Sequence, residues 1–352
     1  MNTKIFDLSS NCADTSVLSE CANIIKRGGL VAFPTETVYG LGADATDKDA
    51  ATKIYTAKGR PSDNPLIIHV ATPEDADKYA YTDELYYKLA RAFMPGPLTV
   101  IMKKKNIIPS EVTGGLDTVA VRCPSHAIAR ELISYAGVAI AAPSANLSGS
   151  PSPTCAKHVI SDMNGVIDAI IDGGECDIGL ESTIVKIDED KLILLRPGAI
   201  TADALGCVCE HVEISTAVTE LLSENERPLS PGMKYKHYAP SVPLVLLEGE
   251  NDKVMTFLHN AQNAEKCAIL CYHEELDALR SERLVDIGAK EDLATQAQRL
   301  FAALRRVDEL DADIIYAHLP PRDGLGLALY NRLIRAAAHT VLHVTASNVK
   351  HH

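Results

Sequence analysis

The stretch Leu30-Val31-Ala32-Phe33-Pro34-Thr35-Glu36-Thr37-Val38-Tyr39-Gly40-Leu41-Gly42 decides the architecture of the N-terminal half. Its four leading apolar residues read as a buried strand. Upstream, residues 16–27 place Val17, Leu18, Cys21, Ile24 and Ile25 at helical spacing, and Gly28-Gly29 stops that helix. Downstream, the strand runs into hydroxyls, a carboxylate and two glycines suited to a tight turn. Thr35 and Thr37 are two residues apart, so an extended backbone points both hydroxyls the same way. A helix, a buried strand and a polar strand end make the repeating unit of an open α/β sheet, which collects ligands at its strand ends.

The same alternation continues outward. Residues 47–57 and 85–93 carry helical patterns, the second ending at Met94-Pro95-Gly96-Pro97. Residues 65–70, 98–102, 118–122 and 138–142 read as strands, and 183–187 with 192–196 as a hairpin. This mixture predicts an α/β fold with a mixed sheet. A polar run at 223–228 and a Pro-, Tyr- and Lys-rich run at 230–241 fit no amphipathic helix and read as an extended linker. Beyond it, strands at 244–247, 267–270 and 313–317 alternate with helices at 252–262, 292–310 and 326–339. That pattern predicts a second, smaller parallel sheet with right-handed crossovers. No Gly-x-Gly-x-x-Gly follows its first strand, so a dinucleotide cofactor is not supported there.

The length of 352 residues fits about two domains. The boundaries predicted are 1–205 for the first domain, 206–243 for the linker and 244–352 for the second. Hydrophobic residues make up 46%, enough for sizeable cores. With 34 basic against 47 acidic residues the net charge is -13, which argues against a surface built to coat nucleic acid. It leaves room for one positive cleft. The 9 cysteines are odd in number and scattered, the usage of free thiols in a reducing compartment. No signal peptide and no apolar run of membrane-spanning length is seen, which predicts a cytoplasmic protein without membrane association.

Three polar clusters and two arginines are the candidates for chemistry. The first cluster is the opening stretch with Thr35 and Thr37. The second is Lys58-Gly59-Arg60-Pro61-Ser62-Asp63-Asn64-Pro65, where two cations in an extended loop would converge on one face and grip a polyphosphate. The third is Pro143-Ser144-Ala145-Asn146-Leu147-Ser148-Gly149, small polar groups after an apolar strand. Each also suits an ordinary turn or helix cap. Arg122 and Arg196 end apolar strands, where a charge must be paired or face a site. Glu181-Ser182-Thr183 forms a similar polar knot. No phosphate loop of the Gly-x-x-x-x-Gly-Lys-Ser/Thr type, nucleophile elbow or His-Glu-x-x-His is present. The chemistry these groups suit is electrostatic: bind an anion, neutralise it and let substrates react with each other.

Lys58-Gly59-Arg60 with Ser144-Ala145-Asn146 resembles the Lys-x-Arg…Ser-x-Asn signature of YrdC-domain proteins, and residues 33–41, 58–66, 119–124 and 181–184 match in the same order. The run 230–240 and the run 325–333 resemble the linker and the extra C-terminal domain of the long, two-domain threonylcarbamoyl-AMP synthase family. The resemblance implies a YrdC-like twisted mixed sheet with flanking helices, plus a Rossmann-like parallel α/β domain. It implies that L-threonine, bicarbonate and ATP give threonylcarbamoyl-AMP and pyrophosphate, a nucleotidyl transfer with Mg2+ accompanying ATP and no protein metal site. It implies a product consumed by the machinery that threonylcarbamoylates tRNA, with any direct tRNA contact weak or indirect.

The resemblance also implies roles. Lys58 and Arg60 act on the triphosphate as catalytic groups. Asn64, Thr118, Ser144, Asn146, Ser148 and Arg196 join them in binding ATP. Thr35, Thr37, His69, Arg122 and Ser182 form the threonine pocket. The linker, with Tyr235 and His237 touching ATP or the intermediate, would be a lid; a passive tether is the alternative. Two other functions compete. A non-enzymatic RNA-binding module is disfavoured by the net charge, and a carbamoyl transferase of the hydrogenase-maturation kind by the lack of a Cys-x-x-Cys array.

Overall fold

Alternation along the strands sets which side chains each face of the first sheet buries. A computed structural model describes residues 2–10, 14–220, 228–230, 238–264 and 266–345. The chain divides into two compact units, Met1–Ser148 with Ser152–Tyr235, and Gly149–Pro151 with Lys236–His352. The first unit runs β1 (Lys4–Asp7), α1 (Thr15–Lys26), β2 (Val31–Phe33), β3 (Gly40–Asp44), α2 (Lys48–Lys58), β4 (Ile67–His69), α3 (Glu84–Phe93), β5 (Leu98–Lys103), α4 (Ser110–Thr113) and β6 (Thr118–Arg122). It continues with α5 (Ala127–Ala136), β7 (Ile140–Ala141), α6 (Ala156–Met163), β8 (Ala169–Asp172), β9 (Thr183–Asp188), β10 (Lys191–Arg196), α7 (Ala202–Gly206) and β11 (Val212–Ile214). Aspartates cap the long helices at their N-termini: Asp14 accepts from two backbone N–H groups of α1, Asp47 from two of α2 and Asp83 from one of α3.

The strands form one mixed sheet in the order β1-β8-β2-β3-β7-β4-β6-β5-β9-β10-β11. Successive residues of a strand point to opposite faces. Ile68, Val100, Val121 and Val185 join the large core with residues of α2, α3 and α6. On the other face α1 and α5 pack over β2, β7 and β8. Further along that face Ile67, Ile101, Ala120 and Ile184 belong to a small cluster with Leu195 and Ala217, which holds no α-helical residue. The half of the sheet around β4, β6, β5 and β9 is therefore lined by few apolar groups on this face, and the candidate site lies there.

Two sequence expectations change. Gly40 and Gly42 do not make a turn: they lie in β3, antiparallel to β2. A Cβ on Gly42 would lie 2.7 Å from Ile140 Cγ2 and 2.8 Å from Phe33 Cε1, so glycine is needed for close strand packing. The start of the expected linker is also structured. β11 pairs in parallel with β10, and Cys209 and Ala217 are buried in this unit. The short strands β1, β8 and β11 were not foreseen, because three or four residues carry too little alternation to register.

The second unit runs β12 (Leu244–Glu248), α8 (Asn251–Ala264), β13 (Cys267–Cys271), α9 (Leu276–Leu279), β14 (Leu284–Asp286), α10 (Leu293–Val307), β15 (Ile314–His318), α11 (Gly326–Ala336) and β16 (Val341–His343). Its five strands are all parallel, in the order β14-β13-β15-β12-β16. The last helix stops three residues short of the expected His339, where Ala338 and His339 take φ of 47° and 62°. Left-handed backbone cannot continue a right-handed helix. Among the described residues no helix is long and apolar enough to cross a membrane.

Candidate active site

Strand register builds the site. His69 in β4 is paired with Ile140 on one side and Arg122 on the other, Arg122 with Thr99, Thr99 with Ile184, and Ile184 with Arg196. These residues form one transverse row over six strands. Residues opposite one another in register point to the same face. His69, Arg122, Thr99 and Arg196 are all buried.

Arg122 is neutralised by Glu36, from the loop between β2 and β3. Its Nη2 lies 2.8 Å from Glu36 Oε1, with side chains 5% and 6% exposed. The other carboxylate oxygen of Glu36 accepts from the Ser125 backbone N–H at 3.2 Å. Arg122 Nη2 also approaches Thr35 Oγ1 at 3.5 Å, and Arg122 Nε is buried with no hydrogen-bond partner among the described residues. The Thr35 and Thr37 hydroxyls stand 2.9 Å apart, but across a bend at residues 36–38 and not along extended backbone, with Thr35 Oγ1 accepting from the Thr37 and Val38 backbone N–H groups at 3.2 and 3.3 Å. Thr35 donates to Val38 O at 2.6 Å.

His69 completes this corner. Burial, reinforced by the positive charge of Arg122, pulls its pKa down to about 3. The imidazole is neutral at physiological pH. Its Nδ1 lies 3.3 Å from Ile140 O, which assigns the proton to Nδ1 and leaves Nε2 as an acceptor. Arg122 with its Glu36 partner, Thr35, Thr37 and His69 thus supply a buried ion pair, two hydroxyls and one acceptor.

The phosphate-type cluster is built differently from its sequence reading. Lys58 and Arg60 do not share an extended loop. Lys58 is the last residue of α2, Gly59 caps it at φ 61°, and the chain then turns away. Lys58 Nζ donates to Ser144 O at 2.6 Å and to Asn146 O at 2.5 Å, with Asn146 Oδ1 at 3.4 Å. It clamps the turn after β7 while holding a buried positive charge against it. Arg60 Nη2 donates to Pro65 O at 3.1 Å. Ser144 Oγ donates to Asn146 Oδ1 at 2.5 Å, and the Ser148 backbone N–H reaches Lys58 O at 2.8 Å. Asn64 Oδ1 is buried with no hydrogen-bond partner among the described residues. Thr118 lies at the far end of β6, opposite Lys103. The Ala145 backbone N–H donates to Tyr39 O at 2.8 Å, tying this turn to the Thr35 loop.

Arg196 and Ser182 bond each other at the β9–β10 end of the row. Arg196 Nε donates to Ser182 O at 3.0 Å and its Nη2 to Ser182 Oγ at 3.2 Å. Thr99 Oγ1 lies 2.7 Å from the same Oγ. Glu181 accepts from Ser152 Oγ at 2.6 Å. Glu36 and Thr99 were not singled out from sequence. Glu36 lay inside the opening motif, and Thr99 interrupts the apolar run of β5, the one local signal for it. Tyr235 and His237 lie outside the described residues.

A family model described as "Telomere recombination", covering Sua5, YciO and YrdC, matches residues 23–198. Another, described as "Threonylcarbamoyl-AMP synthase, C-terminal domain", matches residues 200–338. The chain is 42% identical over 328 residues to the threonylcarbamoyl-AMP synthase of Bacillus subtilis, covering 92% of this chain and 94% of that protein. It is 43% identical over 329 residues to the protein of that name from Pyrococcus abyssi, with the same coverage. The crystal structure of P. abyssi Sua5 complexed with L-threonine superposes with a TM-score of 0.89 at 41% identity, covering 97% of this chain and 100% of that one. Escherichia coli YciO, 22% identical with a TM-score of 0.51, covers 56% of this chain and 96% of its own and shares the fold of the first unit. The mixed sheet with its Lys58–Asn146 clamp and the separate parallel unit after it fit these matches, and the chain belongs to the Sua5/YciO/YrdC family.

Proposed function

We propose that this chain makes threonylcarbamoyl-AMP from L-threonine, bicarbonate and ATP, releasing pyrophosphate, for threonylcarbamoylation of tRNA in the cytoplasm. The observation that carries this reading is the row His69–Arg122–Thr99–Arg196, which brings two arginines, an imidazole and a hydroxyl to one face of the sheet, in a chain that also holds the buried Lys58 against the turn after β7. The P. abyssi relative solved with L-threonine supports the substrate.

Arg122 pairs with the threonine carboxylate through donors that Glu36 does not use. Thr35, Thr37 and Ser182 bond its polar groups. His69 accepts a hydrogen bond at Nε2; with a pKa of about 3 it is too weak a base to take the amine proton. That proton goes to solvent. Bicarbonate, taking up one proton from solvent, loses water and delivers carbon dioxide. The amine lone pair forms the C–N bond, a second N–H proton passes to solvent, and an N-carboxylate results. A carboxylate oxygen then attacks the α-phosphorus, the bond to the β-phosphate oxygen breaks, and pyrophosphate leaves with its electron pair. Both nucleophiles come from the substrates, so the protein's work is positioning and charge neutralisation.

Lys58, Arg60 and Arg196 neutralise the triphosphate, while Asn64, Thr118, Ser144, Asn146 and Ser148 bond phosphate, ribose or base. Glu36 is tied to Arg122 and Glu181 to Ser152, so Mg2+ enters held by phosphate oxygens and water. There it offsets part of the triphosphate charge. The test is pyrophosphate release with ATP, bicarbonate and labelled threonine. It should depend on threonine and yield the labelled adenylate. Lys58→Met and Arg60→Met should each cost about 10²–10³ in kcat, the size of losing one preorganised transition-state donor. Threonine-independent release, or full turnover in both variants, overturns the proposal.

A further inference from the structure

We propose that the second unit carries its own ligand site, at the C-terminal edge of its parallel sheet, for a phosphorylated, hydroxyl-bearing molecule of nucleoside-monophosphate size. The inference does not depend on the reaction proposed for the first unit.

The topology makes the crevice. Strands β12 and β15 are neighbours, yet their chains leave in opposite directions. β12 leads to α8, which packs with Leu247, Ile269 and Tyr316 on one face. β15 leads back across β12 to β16, so a right-handed crossover puts α11 on the other face. Open parallel sheets bind ligands where neighbouring connections diverge in this way. A cavity of about 610 Å3 lies there, within the usual size of a small-molecule site.

Polar groups from four segments converge on it. His318, the last residue of β15, holds the Glu275 carboxylate at 3.0 Å through Nε2, and both side chains are nearly buried. Its ring stacks on Tyr272, with centroids 4.6 Å apart and planes at 25°. Glu275 also accepts the Tyr272 backbone N–H at 3.0 Å. The imidazole is thereby fixed in place, with Nδ1 as its second polar atom. Burial pushes the Tyr272 phenol up to about 12, so it remains a hydroxyl donor at neutral pH.

The cavity lining carries two cations, Lys290 and Arg322, and two carboxylates, Glu248 and Glu291. Lys290 and Arg322 line the cavity, are exposed, and have no carboxylate within ion-pair distance among the described residues. Lys290 Nζ instead bonds Asn251 Oδ1 at 3.0 Å, and the Arg322 guanidinium lies 4.7 Å from the Tyr330 ring centroid. These two cations, Lys290 beside the first residue of α8 and Arg322 over Tyr330 of α11, suit a phosphate. Glu248, at the end of β12, suits ribose-type hydroxyls. The turn Glu248-Gly249-Glu250 has a single glycine where a pyrophosphate needs a glycine-rich close approach, and its carboxylates are engaged, Glu248 by His343 at 2.6 Å and Glu250 by Lys253 at 3.0 Å. That favours a single phosphate on the Lys290–Arg322 side over a dinucleotide.

The test is calorimetric titration of the full chain with AMP, GMP, CMP and UMP in turn, and with inorganic phosphate and L-threonine as controls. A Lys58→Met background weakens nucleotide binding in the first unit. At least one nucleotide should bind saturably in that background, and Arg322→Glu and Lys290→Glu should each weaken it about tenfold or more, or ~1.4 kcal/mol. Both substitutions are exposed, so an unchanged melting temperature verifies folding. No nucleotide binding, binding indifferent to both substitutions, binding of inorganic phosphate alone, or threonine binding in place of nucleotides overturns the proposal. Threonine-dependent pyrophosphate release by the unsubstituted chain is scored separately and decides only the reaction of the first unit.

Discussion

Replacing Glu36 with Gln removes one charge and almost no volume, and it isolates the electrostatic support of the threonine pocket. In the parent, Arg122 and Glu36 meet at 2.8 Å with 5% and 6% of their side chains exposed. Removing one partner of such a pair leaves the other charge buried, at a cost of roughly 3–5 kcal/mol. Gln keeps a carbonyl acceptor, so the lower figure applies. At about 2–4 °C per kcal/mol for a unit of this size, the N-terminal transition should fall by about 6–12 °C in scanning calorimetry. The double variant Glu36→Leu with Arg122→Met should recover much of that loss, because a buried ion pair exchanged for apolar groups of similar volume is often neutral. It should not recover threonine-dependent pyrophosphate release, since the carboxylate then has no cation. A loss under about 1 kcal/mol in Glu36→Gln would show that the pair is solvated and refute the reasoning.

Two further outcomes follow from the same face of the sheet. Gly42→Ala places a methyl against Ile140 and Phe33, both fully buried, and should destabilise by about 1–3 kcal/mol in urea unfolding; a neutral result would mean that β2 and β7 can separate without cost. His69 has a pKa of about 3 when folded and roughly 6.5 when unfolded, so the unfolded chain binds the extra proton below the higher value. Its contribution to stability is complete above about pH 6.5 and falls by up to ~1.4 kcal/mol per unit as the pH drops towards the folded value. Unfolding free energies measured between about pH 7 and 5 should decline less steeply in His69→Asn; an identical slope would assign the acid sensitivity elsewhere.

The local patterns of the sequence were enough for the α/β class, most longer helices and strands, and the polar clusters at the strand ends. These are properties of consecutive residues: apolar runs, helical spacing, and glycines and prolines at the breaks. They also placed Thr35 beside Thr37, but the contact forms across a bend at residues 36–38, not through the extended backbone that a spacing of two presumes. What they could not carry is register. Thr99, Arg122 and Arg196 come from separate strands, and one residue of slip in any pairing would turn a side chain to the opposite face. The same limit explains Glu36, whose role depends on an arginine 86 residues away. It explains Lys58, which reads as one half of a loop pair and in the fold clamps a turn 86 to 88 residues on. Sequence alone determined which chemical groups this protein has and which ends of its strands they occupy. The tertiary structure decided which of them meet, because hydrogen-bond register and burial are set between segments, not within them.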